Sequence, residues 1–144
     1  MLFFRQTLLS VCLILPCALA LAQPVAGDDN PPIINEGGVA IFNILANDAP
    51  GAGFMLDPAT GVDMDISTPG VNDASITTSA GTFVHDLAGV VTFTPNTGFA
   101  GSAVVQYTIQ DSEPQVSSPA TITVVVNGLP TITGLVPVTI TEDQ

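Results

Sequence analysis

The stretch GTFVHDLAGVVTFTPNTGFAGSAVVQYTIQD (81–111) decides the fold, because polar and apolar side chains alternate through three of its segments. Residues 82–86 (TFVHD) put Phe83 and His85 on one face, and residues 90–94 (VVTFT) put Val91 and Phe93 together. Leu87-Ala88-Gly89 between them is short enough for a hairpin, with Gly89 free to take positive φ. Residues 103–110 (AVVQYTIQ) set Val105, Tyr107 and Ile109 against Gln106, Thr108 and Gln110 on the other face.

The same period of two continues on both sides. Residues 120–126 (ATITVVV) turn Ile122, Val124 and Val126 inward, and residues 39–45 (VAIFNIL) read as an early strand ending at Asn47-Asp48-Ala49-Pro50-Gly51. Residues 62–67 and 74–79 are weaker strands between turn signals. Helix formers are scarce: about a third of residues 23–144 are Val, Ile or Thr, and Lys is absent. About seven short strands over roughly 100 residues predict an all-β, Greek-key β-sandwich spanning 24–127. Phe42, Phe83, Val91, Phe93, Phe99, Tyr107, Ile109, Ile122 and Val124 would fill the space between its sheets.

Residues 1–22 read as a secretory signal peptide. Arg5 supplies the positive start, Leu8 to Leu15 is apolar apart from Ser10, and Ala18, Ala20 and Ala22 give overlapping A-x-A cleavage sites. Pro16 interrupts the apolar run before it reaches the ~20 residues of a membrane span, and a proline directly before Cys17 is a poor lipoprotein signal. After removal at Ala22 no transmembrane segment is expected. Both cysteines, Cys12 and Cys17, leave with the peptide, so the exported part has neither a disulfide framework nor a cysteine zinc site.

Arg5 is the only Lys or Arg in a chain with 13 acidic residues and a net charge of −12. Nucleic acid is excluded as a partner, since binding it rests on cationic side chains, and an anionic membrane surface is disfavoured for the same reason. Residues 129–144 (LPTITGLVPVTITEDQ) look like a fresh strand without a partner. Ile140-Thr141-Glu142-Asp143 is similar to the opening around Ile33-Ile34-Asn35-Glu36. They read as the start of a second, truncated repeat, or alternatively as an extra edge strand packing back on the first.

Residues 81–111 resemble the bacterial Ig-like and cadherin-like tandem repeats of surface adhesins, specifically the CshA-type fibril repeat. The resemblance lies in a Gly-Thr-aromatic strand, the G-x-V-T-F-T-P turn, a G-F-x-G step and the Y-T-x-x-D strand, in that order. Residues 44–51 and 54–70 are similar to the same family, and DDNPPIINEGG (28–38) to the related cadherin-like repeats. The resemblance implies an Ig-like or cadherin-like sandwich, strung in tandem on a secreted or cell-surface polypeptide whose work is adhesion or spacing. Neighbouring repeats of the same chain would be its first partners, and a host or cell-surface protein or glycan a further one.

The acidic residues form the one polar constellation with a metal reading. Ca²⁺ takes six to eight hard oxygen ligands, and Asp28, Asp29, Glu36, Asn47, Asp48 and Asp111 lie at strand ends that can meet at one pole of a sandwich. A calcium ion there would stiffen the joint to a neighbouring repeat; the competing reading is Asx turns and solvated charge. No full D-x-D-x-D loop exists, and Asp63 and Asp65, alternating along a strand, are expected on a solvent face. His85 is expected to be buried or half-buried and hydrogen-bonded to backbone. A Ser79–His85–Asp86 triad fails because neighbouring strand residues point to opposite faces. The sequence predicts a non-catalytic adhesin-type spacer, not an enzyme. The alternative is a calcium-dependent carbohydrate- or protein-binding domain, recognising its ligand through the metal.

Overall fold

The structure is a computed structural model and describes residues 22–68, 70–113, 115–131 and 134. The expected signal peptide, with Cys12 and Cys17, and most of the expected second repeat lie outside the described residues.

Eight strands form two four-stranded sheets. In chain order they are β1 (Ile34–Asn35), β2 (Ala40–Asn43), β3 (Val62–Asp63), β4 (Ser75–Thr77), β5 (Gly81–His85), β6 (Val90–Pro95), β7 (Gly101–Ile109) and β8 (Ala120–Asn127). One sheet has the order β1-β8-β7-β3 and the other β2-β6-β5-β4. The chain crosses between sheets from β1 through β4, closes the β5–β6 hairpin in the second, and returns to close β7–β8 in the first. This is the predicted sandwich.

Alternation makes the core. Phe83, Val91, Phe93, Tyr107, Ile122 and Val124 have no exposed surface, and Ile109 almost none. Phe83 and Phe93 are direct cross-strand partners with ring centroids 4.3 Å apart, a pairing that adds to their area burial. Phe42 and Phe99 are only partly buried, packing at the margin of the core rather than within it. Ile44 and Met64 take central places instead. Ile44 lies outside the early strand, in a short 3-10 turn (Ile44–Ala46) whose start is capped by Asn43 accepting from the Leu45 N–H.

β1 was not foreseen. It is two residues long and pairs in parallel with β8, Ile34 opposite Val126, while upstream Asp29 already bridges Ile122. The chain therefore runs alongside β8 in the same direction, so it begins the sandwich at the pole where β8 starts and leaves at the opposite one. The β5–β6 turn and the end of β7 share the first pole, because Asn43 pairs with Val90, His85 with Val91 and Tyr107 with Ala120.

Charge follows this axis. Among the described acidic residues only Asp63 lies in a strand, and only Glu36 lies at the exit pole. The outward rows, such as Ile41–Thr92–Val84–Ser75 on one sheet and Val104–Thr123 on the other, carry no charge. Asp63 corrects the expectation of a solvent face: it is 9% exposed. Its Oδ1 accepts from the Asp65 N–H at 2.9 Å and the Asp73 N–H at 3.2 Å. Paired with Thr108, Asp63 lies on the outer face of its sheet, and its covered carboxylate is tolerated because a turn distant in sequence brings it donors.

Candidate functional site: the acidic pole

The first pole is built around the hydroxyl of Tyr107. Alternation along β7 drives the ring into the core, and its length carries Oη out to the pole. There Oη lies 2.9 Å from Asp29 Oδ2, 3.0 Å from the Gly27 carbonyl, 3.2 and 3.3 Å from the two Asp48 oxygens, and 3.3 Å from the Ile44 carbonyl. A tyrosine has one proton to donate, so these acceptors outnumber the protons available. The Gly27 N–H donates to Asp48 Oδ1 at 2.7 Å, and Val25 bridges Ala49. The segment entering the domain is thereby pinned to the loop after β2. The sequence placed Tyr107 in the core but gave its hydroxyl no task; that hydroxyl joining Asp29 to Asp48 is the organising contact of the pole.

Burial pushes the Asp29 carboxyl up to about 6, the Tyr107 hydrogen bond opposing, and the Asp48 and Asp28 charges adding to the rise. Asp48 is raised too, by burial first, against the Gly27 N–H and the Tyr107 hydroxyl. Tyr107 is itself held far above the usual phenol range by burial and by the two carboxylates.

A raised carboxyl pKa means that the folded state keeps a proton the unfolded chain has lost. Between about pH 4 and 6 stability from Asp29 therefore grows as pH falls, and above pH 6 it is withdrawn. Asp29→Asn supplies a neutral group at all pH values. It is expected to melt above the wild type at pH 8, with the gap closing by pH 4. A shift of about two units is worth at most about 3 kcal/mol. Solvent screening at this pole brings the expected gap to about 1 kcal/mol, or about 4–8 °C. Melting curves of the two proteins at pH 8 and pH 4 check it; a gap that does not depend on pH would contradict it.

The other residues of the predicted set divide. Asn47 donates from Nδ2 to the Asp28 carbonyl at 2.9 Å, and Asp28 Oδ1 accepts from the Thr121 N–H at 2.8 Å, which brings Asp28, Asp29, Asn47 and Asp48 together. Asp111 shares the pole but is buried against backbone, accepting from the Gly51 N–H at 3.1 Å and the Glu113 N–H at 3.0 Å. Glu36 is separated from all of them: β1 carries it to the exit pole, where Oε2 accepts from the Leu129 N–H at 3.3 Å. It lines a cleft of about 330 Å³ there with Pro95, Asn96, Thr97 and Leu129. Among the described residues no group of three or more His, Cys, Asp or Glu side chains is arranged to hold a metal ion. The carboxylates of Asp28, Asp29, Asp48 and Asp111 each accept from an internal donor.

His85 is 3% exposed, with Nε2 accepting from the Gly89 N–H at 3.1 Å, as the sequence led us to expect. Asp86 instead accepts from the Ala88 and Val90 N–H groups. The two side chains are thus committed to separate backbone groups, and neither is arranged with Ser79 as a triad.

The bacterial Ig domain family matches residues 22–125, nearly all of the described sandwich. Such domains are in general non-catalytic structural modules, and they typically occur in extracellular or surface proteins. No curated protein and no solved structure matches the chain. Among the described residues no helix is long and apolar enough to cross a membrane.

Proposed function

Because the chain belongs to the bacterial Ig domain family, we propose that it is an exported, non-catalytic module of a surface adhesin, similar to the CshA-type fibril repeat, that spaces and presents neighbouring modules. The observation that carries this reading is the polarity of the sandwich. The chain begins at one pole and leaves at the other, the carboxylates collect at the first, and the outward sheet rows are uncharged. Modules joined in this way stack end to end, with an acidic pole meeting an almost uncharged one, so like charges are kept one module apart. Residues 1–22 serve as the export signal in this reading, and 129–144 as the start of the next module.

Two copies of residues 23–131 joined in tandem test the spacer role by small-angle scattering. The longest dimension is expected to grow by about one module length, and a compact, side-by-side pair would refute it. Calcium enters the proposal at the joint only: in a tandem pair, Asp28, Asp29, Asn47 and Asp48 of the second copy would meet the exit pole of the first, where Glu36 would add its oxygens. The tandem pair is then expected to melt several degrees higher in millimolar calcium and to return with EDTA. An unchanged melting temperature removes calcium from the proposal and leaves the spacer role standing.

A further inference from the structure

We propose that His85 is an acid-sensitive latch that holds the β5–β6 turn, and with it the exposed Leu87, in one conformation. Leu87 is the only described non-glycine residue with positive φ, at 64°, and is 53% exposed. A leucine in the left-handed region is strained and persists only where its surroundings impose it. Here they do. Asp86 accepts from the Ala88 N–H at 2.8 Å and the Val90 N–H at 3.0 Å, and His85 Nε2 accepts from the Gly89 N–H. The Gly89 carbonyl in turn accepts from the Ile44 N–H at 3.0 Å, tying the turn to the end of β2.

The direction of the Gly89 bond fixes the chemistry. Nε2 can accept only while it carries no proton, so the closed turn requires neutral His85 with its proton on Nδ1. Protonating Nε2 would set one N–H against another and leave a cation in the core. The charged groups on the elements around His85 are few. Asp86 adjoins it in sequence, and Asp73 precedes Ala74, whose carbonyl accepts from the His85 N–H. On the facing sheet Asp63 lies on the outer face, engaged by two backbone donors, and Asp29 and Asp48 cluster on the Tyr107 hydroxyl. β6 and the Ile44–Ala46 turn bring none. Burial lowers the His85 pKa below its ordinary 6.5, the Asp86 charge opposing only in part. The latch is thus closed at neutral pH and releases as pH falls through that lowered value, opposite in sign to the effect of Asp29.

Amide hydrogen exchange and ring nitrogen shifts, followed by NMR in the full chain from pH 8 to pH 4, test the proposal. After correction for intrinsic rates, the Gly89 and Ile44 amides are expected to lose at least tenfold protection in step with the His85 titration, while amides in the middle of β7 keep theirs. His85→Gln retains an acceptor that does not titrate, and Gly89 protection is expected to stay flat in it. Wild-type protection that stays flat through the ring titration would overturn the proposal, as would a parallel loss in the Gln variant. Should that variant not fold, the wild-type ring decides: a proton on Nε2 at pH 7.5 refutes the latch.

Discussion

Phe93→Ala is expected to lower stability by about 3–5 kcal/mol, and the melting temperature by roughly 15–25 °C. Phe93 is wholly buried, lies at the centre of β6, and meets Phe83 across the β5–β6 ladder and Ala40 across the β2 ladder. Truncation removes the transfer free energy of the ring and opens a cavity between two sheets whose backbones are fixed by their ladders, so little collapse can offset it. A domain of this size has about 5–15 kcal/mol in all, so the variant is expected to approach unfolding at 37 °C. Val84→Ala, on the outward face of β5 where the side chain is 46% exposed, is expected to cost less than about 1 kcal/mol. Chemical denaturation of the two variants checks the contrast, and equal losses would contradict the assignment of inner and outer faces.

The second large effect is expected at Gly81, which opens β5. A Cβ there would lie 2.3 Å from the Thr94 carbonyl oxygen and 2.7 Å from the Pro95 Cα, both backbone atoms of the neighbouring strand. The ladder has to part to admit it. Gly81→Ala is expected to cost about 2–4 kcal/mol. Gly53→Ala makes a control, since that glycine has positive φ but open space around it, and a loss of about 1 kcal/mol is expected from backbone conformation alone. Protection of the Gly81–Pro95 end of the hairpin, read by hydrogen exchange, is expected to fall in the first variant and to persist in the second.

How far the sequence could be read depended on where each residue's surroundings come from. Strands β5 to β8 and the inward places of Phe83, His85, Phe93 and Tyr107 were legible, because side-chain direction in a strand is set by the chain's own period. β1 was not, since two residues have no period, and its pairing with β8 is made from the other end of the chain. That one pairing also decided the candidate site: it sent Glu36 to the exit pole, away from Asp28 and Asp29. Asp63 looked solvent-facing because an acidic side chain is costly to bury, and the donors that offset the cost come from Asp65 and from the distant Asp73 turn. The link from Asp29 to Asp48 through Tyr107 spans 78 and 59 residues of sequence, and only the folded pole shows it.

The central claim is that the chain begins the sandwich at the acidic pole and leaves at the other, and nuclear Overhauser contacts between the first segment and β8 test it most directly. The account predicts contacts of Asp29 with Ile122 and of Ile34 with Val126, the parallel arrangement. Contacts of Asp29 with Val126 and of Ile34 with Ile122 would reverse the first segment, bring both ends of the module to one pole, and contradict end-to-end stacking.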